Sequence, residues 1–148
     1  MPIKFIKSIL LLFLLTGFSS FYQQTETGIK VNIYNLRNNK GHVLISLFKD
    51  GKGYPDKPDK AFKIDKATIS NNKAELFFKE LPPGNYAISI LHDQNDDQKM
   101  NTNFFGLPKE GYGFSNNVMG TFGPPGYSKA SFNHSAGTIT VIHLKTRY

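Results

Sequence analysis

The chain has 148 residues, carries 18 lysine and arginine against 11 aspartate and glutamate residues for a formal net charge of +7, and contains no cysteine. The absence of cysteine excludes disulfides and a lipid-modified cysteine anchor. Lysines alternate with acidic residues, as in residues 57–60, which favours a solvated surface over nucleic-acid or lipid binding.

Residues 1–20 have the features of a signal peptide: Lys4 and Lys7 precede an unbroken apolar run at 9–15, and the small residues Gly17 and Ser19 follow. The run is too short to cross a bilayer, which takes roughly 20 apolar residues. We therefore predict a cleaved signal peptide at 1–20, a flexible leader at 21–28 and a secreted or periplasmic domain at 29–148. Loss of the two lysines leaves 16 basic against 11 acidic residues, a net charge of +5.

The mature chain of about 125 residues is long enough for one hydrophobic core, to which 13 phenylalanines and 7 tyrosines contribute. Apolar residues alternate with polar ones from Ile29 onward, the period of a half-buried strand. Strands are predicted at 29–34, 43–48, 61–64 with an extension to 69, 74–78, 86–91, 128–132 and 138–145. Residues 49–59 and 93–127 lack periodicity and are predicted as loops. About seven strands without helical periodicity predict an all-β, two-sheet sandwich.

Four motifs carry a family resemblance: Leu-Pro-Pro-Gly-Asn-Tyr-Ala at 81–87, His-Asp-Gln-Asn at 92–95 followed by Lys99, Asn101 and Asn103, the glycine-rich and aromatic run at 106–117, and Phe-Gly-Pro-Pro at 122–125. In these motifs and their order, the chain resembles the domain-of-unknown-function 2141 family of small exported bacterial proteins. The resemblance implies an immunoglobulin-like or transthyretin-like sandwich and assigns no activity. The family usually has glycine where this chain has Gln98, and aspartate where it has Asn101.

An acidic loop at residues 93–103 places oxygen-bearing side chains at alternate positions, an arrangement that suits calcium. The predicted ligands are Asp93, Asn95, Asp97, the Lys99 carbonyl and Asn101. The pattern resembles the start of an EF-hand loop, but Gln98 replaces the turn glycine and Phe104 stands where a bidentate glutamate is required. The alternative is an Asx-rich turn that hydrogen-bonds its own backbone. Both interpretations stay open at this point.

The segment from Phe104 to Tyr127 is rich in aromatic residues, glycine and proline. Candidate binding residues are Phe105, Tyr112, Phe114, Phe122 and Tyr127. Exposed rings on a loop can bind a surface glycan, a peptide or another exported protein. In the alternative, the rings fold inward as a satellite core and leave one or two exposed.

The histidines His92, His134 and His143 are the candidates for acid–base chemistry, but none lies in a metalloprotease or nucleophile motif. Glu110 is the only carboxylate between residues 104 and 127, so paired glycosidase carboxylates are not evident there. The leading hypothesis is therefore an exported non-catalytic binding or structural module stabilised by calcium, with no catalytic residue. The alternatives are a metal-dependent or hydrolytic enzyme using His92 and Asp93, and an accessory domain for assembly of a surface complex. Convergence of His92, His134 and Glu110 in a cleft favours the enzyme, and dispersal favours the module.

Overall fold

The computed structural model describes residues 26–148, which form a domain built mainly from β-strands. The predicted signal peptide and most of the predicted leader lie outside the described residues. The strands are β1 Gly28–Tyr34, β2 His42–Lys49, β3 Lys63–Thr68, β4 Ala74–Lys79, β5 Gly84–Asp93, β6 Gly111–Phe114, β7 Phe132–His134 and β8 Ile139–Lys145. Short helices occur at Pro58–Lys60, at Ser115–Asn117 and at α1, Tyr127–Ala130. Within the described residues, no helix is long and apolar enough to cross a membrane.

The strands form two sheets, which confirms the predicted all-β sandwich class. The smaller sheet has the order β4-β1-β8, with β1 antiparallel to β4 and parallel to β8. The larger sheet has the order β3-β2-β5-β6, and the short β7 also pairs with β5. All pairings in the larger sheet are antiparallel.

The hydrophobic core lies between the sheets and is built by the alternation visible in the sequence. Its central residues are at most 4% exposed and come from β1, β2 and β5: Ile29, Val31, Ile33, Val43, Ile45, Leu47, Tyr86, Ile88 and Ile90. Each buried aliphatic or aromatic side chain contributes about 1.5–3 kcal/mol relative to an exposed one. The core therefore fixes which face of β5 is buried and where its last residues, His92 and Asp93, must lie.

Two of the sequence predictions need correction. The predicted strand at 128–132 is wrong, because its first half belongs to α1, where the Ser131 N–H donates to the Tyr127 carbonyl at 2.8 Å. The strand in this region, β7, covers only Phe132–His134. The predicted loop at 93–127 also contains a strand, β6, which pairs with the end of β5 so that His92 lies opposite Gly111.

Candidate functional site

Three carboxylates converge where β5 ends and β6 begins. Asp93, Asp97 and Glu110 each place a carboxylate oxygen within 4.8 Å of the other two. The pairing of β5 with β6 explains this, because Asp93 is the last residue of β5 and Glu110 immediately precedes β6. Asp93 is 1% exposed and Glu110 is 4% exposed, whereas Asp97 lies on the surface. We call these three residues the carboxylate cluster.

The Asp93 carboxylate organises the first turn of the acidic loop. One oxygen accepts the Asp97 N–H at 3.2 Å, and the other accepts the Gln98 N–H at 2.8 Å. The chain can turn this tightly because Asp96 and Gln98 adopt left-handed backbone conformations, with φ of 57° and 62°. Glycine adopts that conformation readily. Glycine is also the usual residue, in the family that the chain resembles, at the position of Gln98.

The Glu110 carboxylate joins the two ends of the same loop. Its Oε1 accepts the Gln94 N–H at 2.8 Å, and its Oε2 accepts the Asn101 N–H at 3.2 Å. A buried carboxylate with two backbone donors is well suited to hold a loop in one conformation. Glu110 was not among the predicted metal ligands; its position beside Asp93 depends on β6, which the sequence pattern did not reveal.

The remaining predicted ligands surround Asp97. The side-chain amides of Asn101 and Asn95 donate to its Oδ2 at 2.8 and 3.0 Å, and the Lys99 N–H donates to its Oδ1 at 2.9 Å. These bonds, chiefly that from the Asn101 amide, hold the pKa of the Asp97 carboxyl below its ordinary value. Of the five predicted ligands, the structure therefore brings Asp93 and Asp97 into the cluster, and places the other three as hydrogen-bond donors around Asp97.

The five predicted aromatic binding residues divide into two groups. Phe105 is 82% exposed and Phe122 is 98% exposed, so both rings face solvent. Phe114 is buried, and its ring packs edge-on against Tyr112 and against Tyr54.

The fifth ring, that of the half-buried Tyr127, also packs against Tyr54, and its hydroxyl donates to the Asn85 carbonyl at 2.8 Å. Phe114, Tyr112 and Tyr127 thus belong to a satellite core, and only Phe105 and Phe122 can contact a ligand with a full face.

His92 is fully buried, and both its ring nitrogens have partners. Its Nε2 lies 2.9 Å from the Lys40 carbonyl, which can only accept, so Nε2 carries a proton. Its Nδ1 lies 2.5 Å from the Tyr148 hydroxyl, which in turn accepts the Arg37 N–H at 2.7 Å. When the imidazole is neutral, Tyr148 donates to Nδ1 and every group in the chain of bonds is satisfied. His92 therefore ties Tyr148 to the sandwich and presents no free nitrogen to a substrate.

The histidines do not converge. His134 pairs with Gly84 at the start of β5, eight residues from His92, and the rise of a strand puts about 26 Å between the two positions. His42 bonds Asp96 through Nδ1 at 2.7 Å. The arrangement that would favour an enzyme, with His92, His134 and Glu110 in one cleft, is absent from residues 26–148.

The chain matches the model of a known protein family. The model of a family described as "Uncharacterized protein conserved in bacteria (DUF2141)" matches residues 31–142, which include the carboxylate cluster, the six complete strands β2 to β7, and parts of β1 and β8. Comparisons with curated proteins and with solved structures returned no significant match.

Proposed function

We propose that this chain, which belongs to the DUF2141 family, is an exported, non-catalytic β-sandwich module in which calcium orders the loop after β5. The observation that carries the proposal is the carboxylate cluster of Asp93, Asp97 and Glu110. Export is supported by the signal-peptide pattern of residues 1–20, and places the domain in compartments where calcium is abundant enough for a weak site.

The charge of the cluster favours a cation. Like charges repel, and more strongly where burial lowers the local dielectric constant, as it does around Asp93 and Glu110. Among the described residues, none of the ion pairs involves a member of the cluster. A divalent cation would offset this repulsion, and the exposed side of Asp97 would admit it from solvent.

The donor set suits calcium better than magnesium. Three carboxylates supply three to six oxygens according to whether each binds through one oxygen or two, and calcium takes about six to eight oxygens in flexible geometry. Rotation of the Asn95 or Asn101 amide about its last bond would turn an oxygen toward the site, and water would complete the shell. Magnesium demands octahedral geometry and releases its water reluctantly. We expect a Kd on the order of 10⁻⁴ to 10⁻³ M, the range of extracellular modules.

The non-catalytic part of the proposal is supported by the histidines. His92 uses both ring nitrogens in structural hydrogen bonds, and His134 lies at the opposite end of β5. General acid–base catalysis needs a side chain within hydrogen-bond reach of the substrate. His92 has no free ring nitrogen for this, and His134 is too far from Glu110 to share a substrate with it. Turnover of a substrate that His92→Ala abolishes without unfolding the protein would overturn this part.

Thermal unfolding in chelator and in calcium tests the calcium site. Ligand at about 100 times Kd stabilises the native state by about 2.7 kcal/mol, and magnesium at the same concentration should add much less. The double variant Asp93→Ala with Asp97→Ala should lose the calcium-dependent gain and keep its β-type circular dichroism spectrum. The matched control, Asp56→Ala with Asp59→Ala, removes two exposed aspartates outside the cluster and should keep the gain. A wild-type protein with no calcium-dependent shift would show that the loop is only an Asx-stabilised turn.

A further inference from the structure

Residues 101–109 form a hairpin that projects from the carboxylate cluster. The Asn103 N–H donates to the Leu107 carbonyl at 2.9 Å, and the Lys109 N–H donates to the Asn101 carbonyl at 2.8 Å. Thr102 and Pro108 face each other across the hairpin as a β-bridge. Every residue from 102 to 109 is exposed, so the hairpin has no packing of its own against the sandwich.

The tip of this hairpin is ordered by polar contacts although its side chains are apolar. The Asn103 side-chain oxygen accepts the Phe105 N–H at 2.9 Å and the Leu107 N–H at 3.0 Å, and the Gly106 N–H donates to the Asn103 carbonyl. Phe104 is 98% exposed, Phe105 82% and Leu107 60%. The turn thus holds three apolar side chains outward in water, and contiguous exposed apolar surface of this kind marks an interaction site.

The charged residues near the hairpin indicate the chemistry of a partner. The charged residues nearest the tip are Lys99 and Lys109, and both are exposed. Asp97 lies at the base of the hairpin, where its carboxylate accepts the Asn101 amide, and Glu110 is buried. Apolar rings that project beyond flanking lysines match a bilayer surface with anionic headgroups, where rings enter the acyl boundary and lysines stay at the phosphates. A protein partner would need a pocket for each ring, whereas a fluid bilayer accepts a convex tip without one. The lysines of the whole chain are scattered, so the overall charge pattern does not predict a lipid-binding surface. The two lysines that matter here are those next to the hairpin.

We propose that the 101–109 hairpin docks the domain on an anionic lipid surface by inserting Phe104, Phe105 and Leu107 between headgroups. This inference rests on the proposed function of a non-catalytic binding module and names its partner. Docking is peripheral, by three side chains and two lysines, and involves no membrane-spanning element.

Flotation of the purified protein with vesicles tests the proposal. Wild type should float with vesicles of phosphatidylcholine mixed with phosphatidylglycerol and bind pure phosphatidylcholine more weakly. Phe104→Ser with Phe105→Ser should weaken binding to the mixed vesicles by about tenfold or more. Lys99→Gln with Lys109→Gln should weaken it by about fivefold per lysine and leave binding to pure phosphatidylcholine unchanged.

The matched control removes two exposed apolar residues elsewhere. Ile139→Ser with Val141→Ser changes two side chains on β8 that are 49% and 47% exposed. They lie toward the start of β8, whereas the chain beyond the end of β8 approaches the cluster, where Arg147 pairs with Tyr112. This variant should bind like wild type, and all variants should melt cooperatively.

Failure of wild type to float with the mixed vesicles would overturn lipid docking, and so would equal loss in the control or full binding by the Phe104→Ser, Phe105→Ser variant. Lipid docking would also be overturned if the purified domain failed to float and its hairpin instead bound a protein partner without lipid. None of these results touches the calcium-dependent melt measured without vesicles, so failure of the docking proposal and failure of the proposed function remain distinguishable.

Discussion

Glu110→Gln is the sharpest perturbation of the carboxylate cluster, because it keeps the size of the side chain and removes its charge. It also replaces one carboxylate oxygen, an acceptor, with an amide group that donates. Both oxygens of Glu110 accept backbone N–H groups, from Gln94 at 2.8 Å and from Asn101 at 3.2 Å. The amide oxygen can keep one of these bonds, and the NH₂ group then faces the other N–H.

Two contributions to the free energy of unfolding follow from this geometry. In chelator, loss of one hydrogen bond to a buried charged group costs about 1.5–3 kcal/mol, and relief of repulsion with Asp93 offsets part of it. We expect a net loss of about 1–2 kcal/mol. In calcium at about 100 times Kd, the variant should in addition fail to gain the roughly 2.7 kcal/mol that wild type gains. The difference between the proteins should therefore be larger in calcium than in chelator.

Urea unfolding followed by circular dichroism, in chelator and in calcium, measures both contributions. The control is Glu75→Gln, which removes a carboxylate from an exposed ion pair with Lys30 at 2.9 Å and should change stability by less than about 1 kcal/mol in either buffer. If Glu110→Gln keeps the full calcium gain, then Glu110 is not a ligand and the cluster is not the site. If it loses no stability in chelator, the argument from its two hydrogen bonds is wrong.

Three further predictions follow from single contacts. Gln98→Gly should raise the free energy of unfolding by about 0.5 kcal/mol, because Gln98 has φ of 62° and glycine removes that strain; a loss of stability in urea would contradict it. Tyr148→Phe should lower stability by about 1–3 kcal/mol in the same assay, since it leaves Nδ1 of the buried His92 without a partner, whereas Tyr34→Phe, at an exposed ring, should not. The pKa of Asp97 is lowered by its hydrogen bonds, so its stabilising contribution is complete above the unfolded value of 3.8 and is lost as pH falls through the lower folded value. Asp97→Asn should therefore flatten the acid side of the stability profile, and an unchanged profile would contradict this.

The sandwich could be predicted from the sequence because each central strand has one face in the core and one face that is less buried. Apolar residues therefore recur at every second position. The pattern at Ile29, Val31 and Ile33 is an example, and all three side chains are at most 2% exposed. The predicted strand at 128–132 was wrong because residues 127–130 close a helical turn by a local backbone bond, which apolar spacing does not reveal.

The candidate site could be predicted only in part, and the reason is β6. Its four residues, Gly-Tyr-Gly-Phe, are too few to establish a period, and the two glycines weaken a strand. The strand exists because these residues pair with β5 from Ser89 to His92. Glu110 reaches Asp93 only through that pairing. Local sequence therefore identified Asp93 and Asp97, the cluster members in the acidic loop, and could not identify Glu110, whose place in the cluster depends on tertiary structure.

A calcium titration of the ¹⁵N-labelled protein, followed by amide chemical shifts, tests the carboxylate cluster most directly. The amides of Gln94, Gln98 and Asn101 donate to carboxylates of the cluster, so their resonances should move together along one saturating curve. Magnesium should produce much smaller shifts at the same concentration. Unchanged resonances at these three amides, or saturable shifts confined to another part of the domain, would contradict the account.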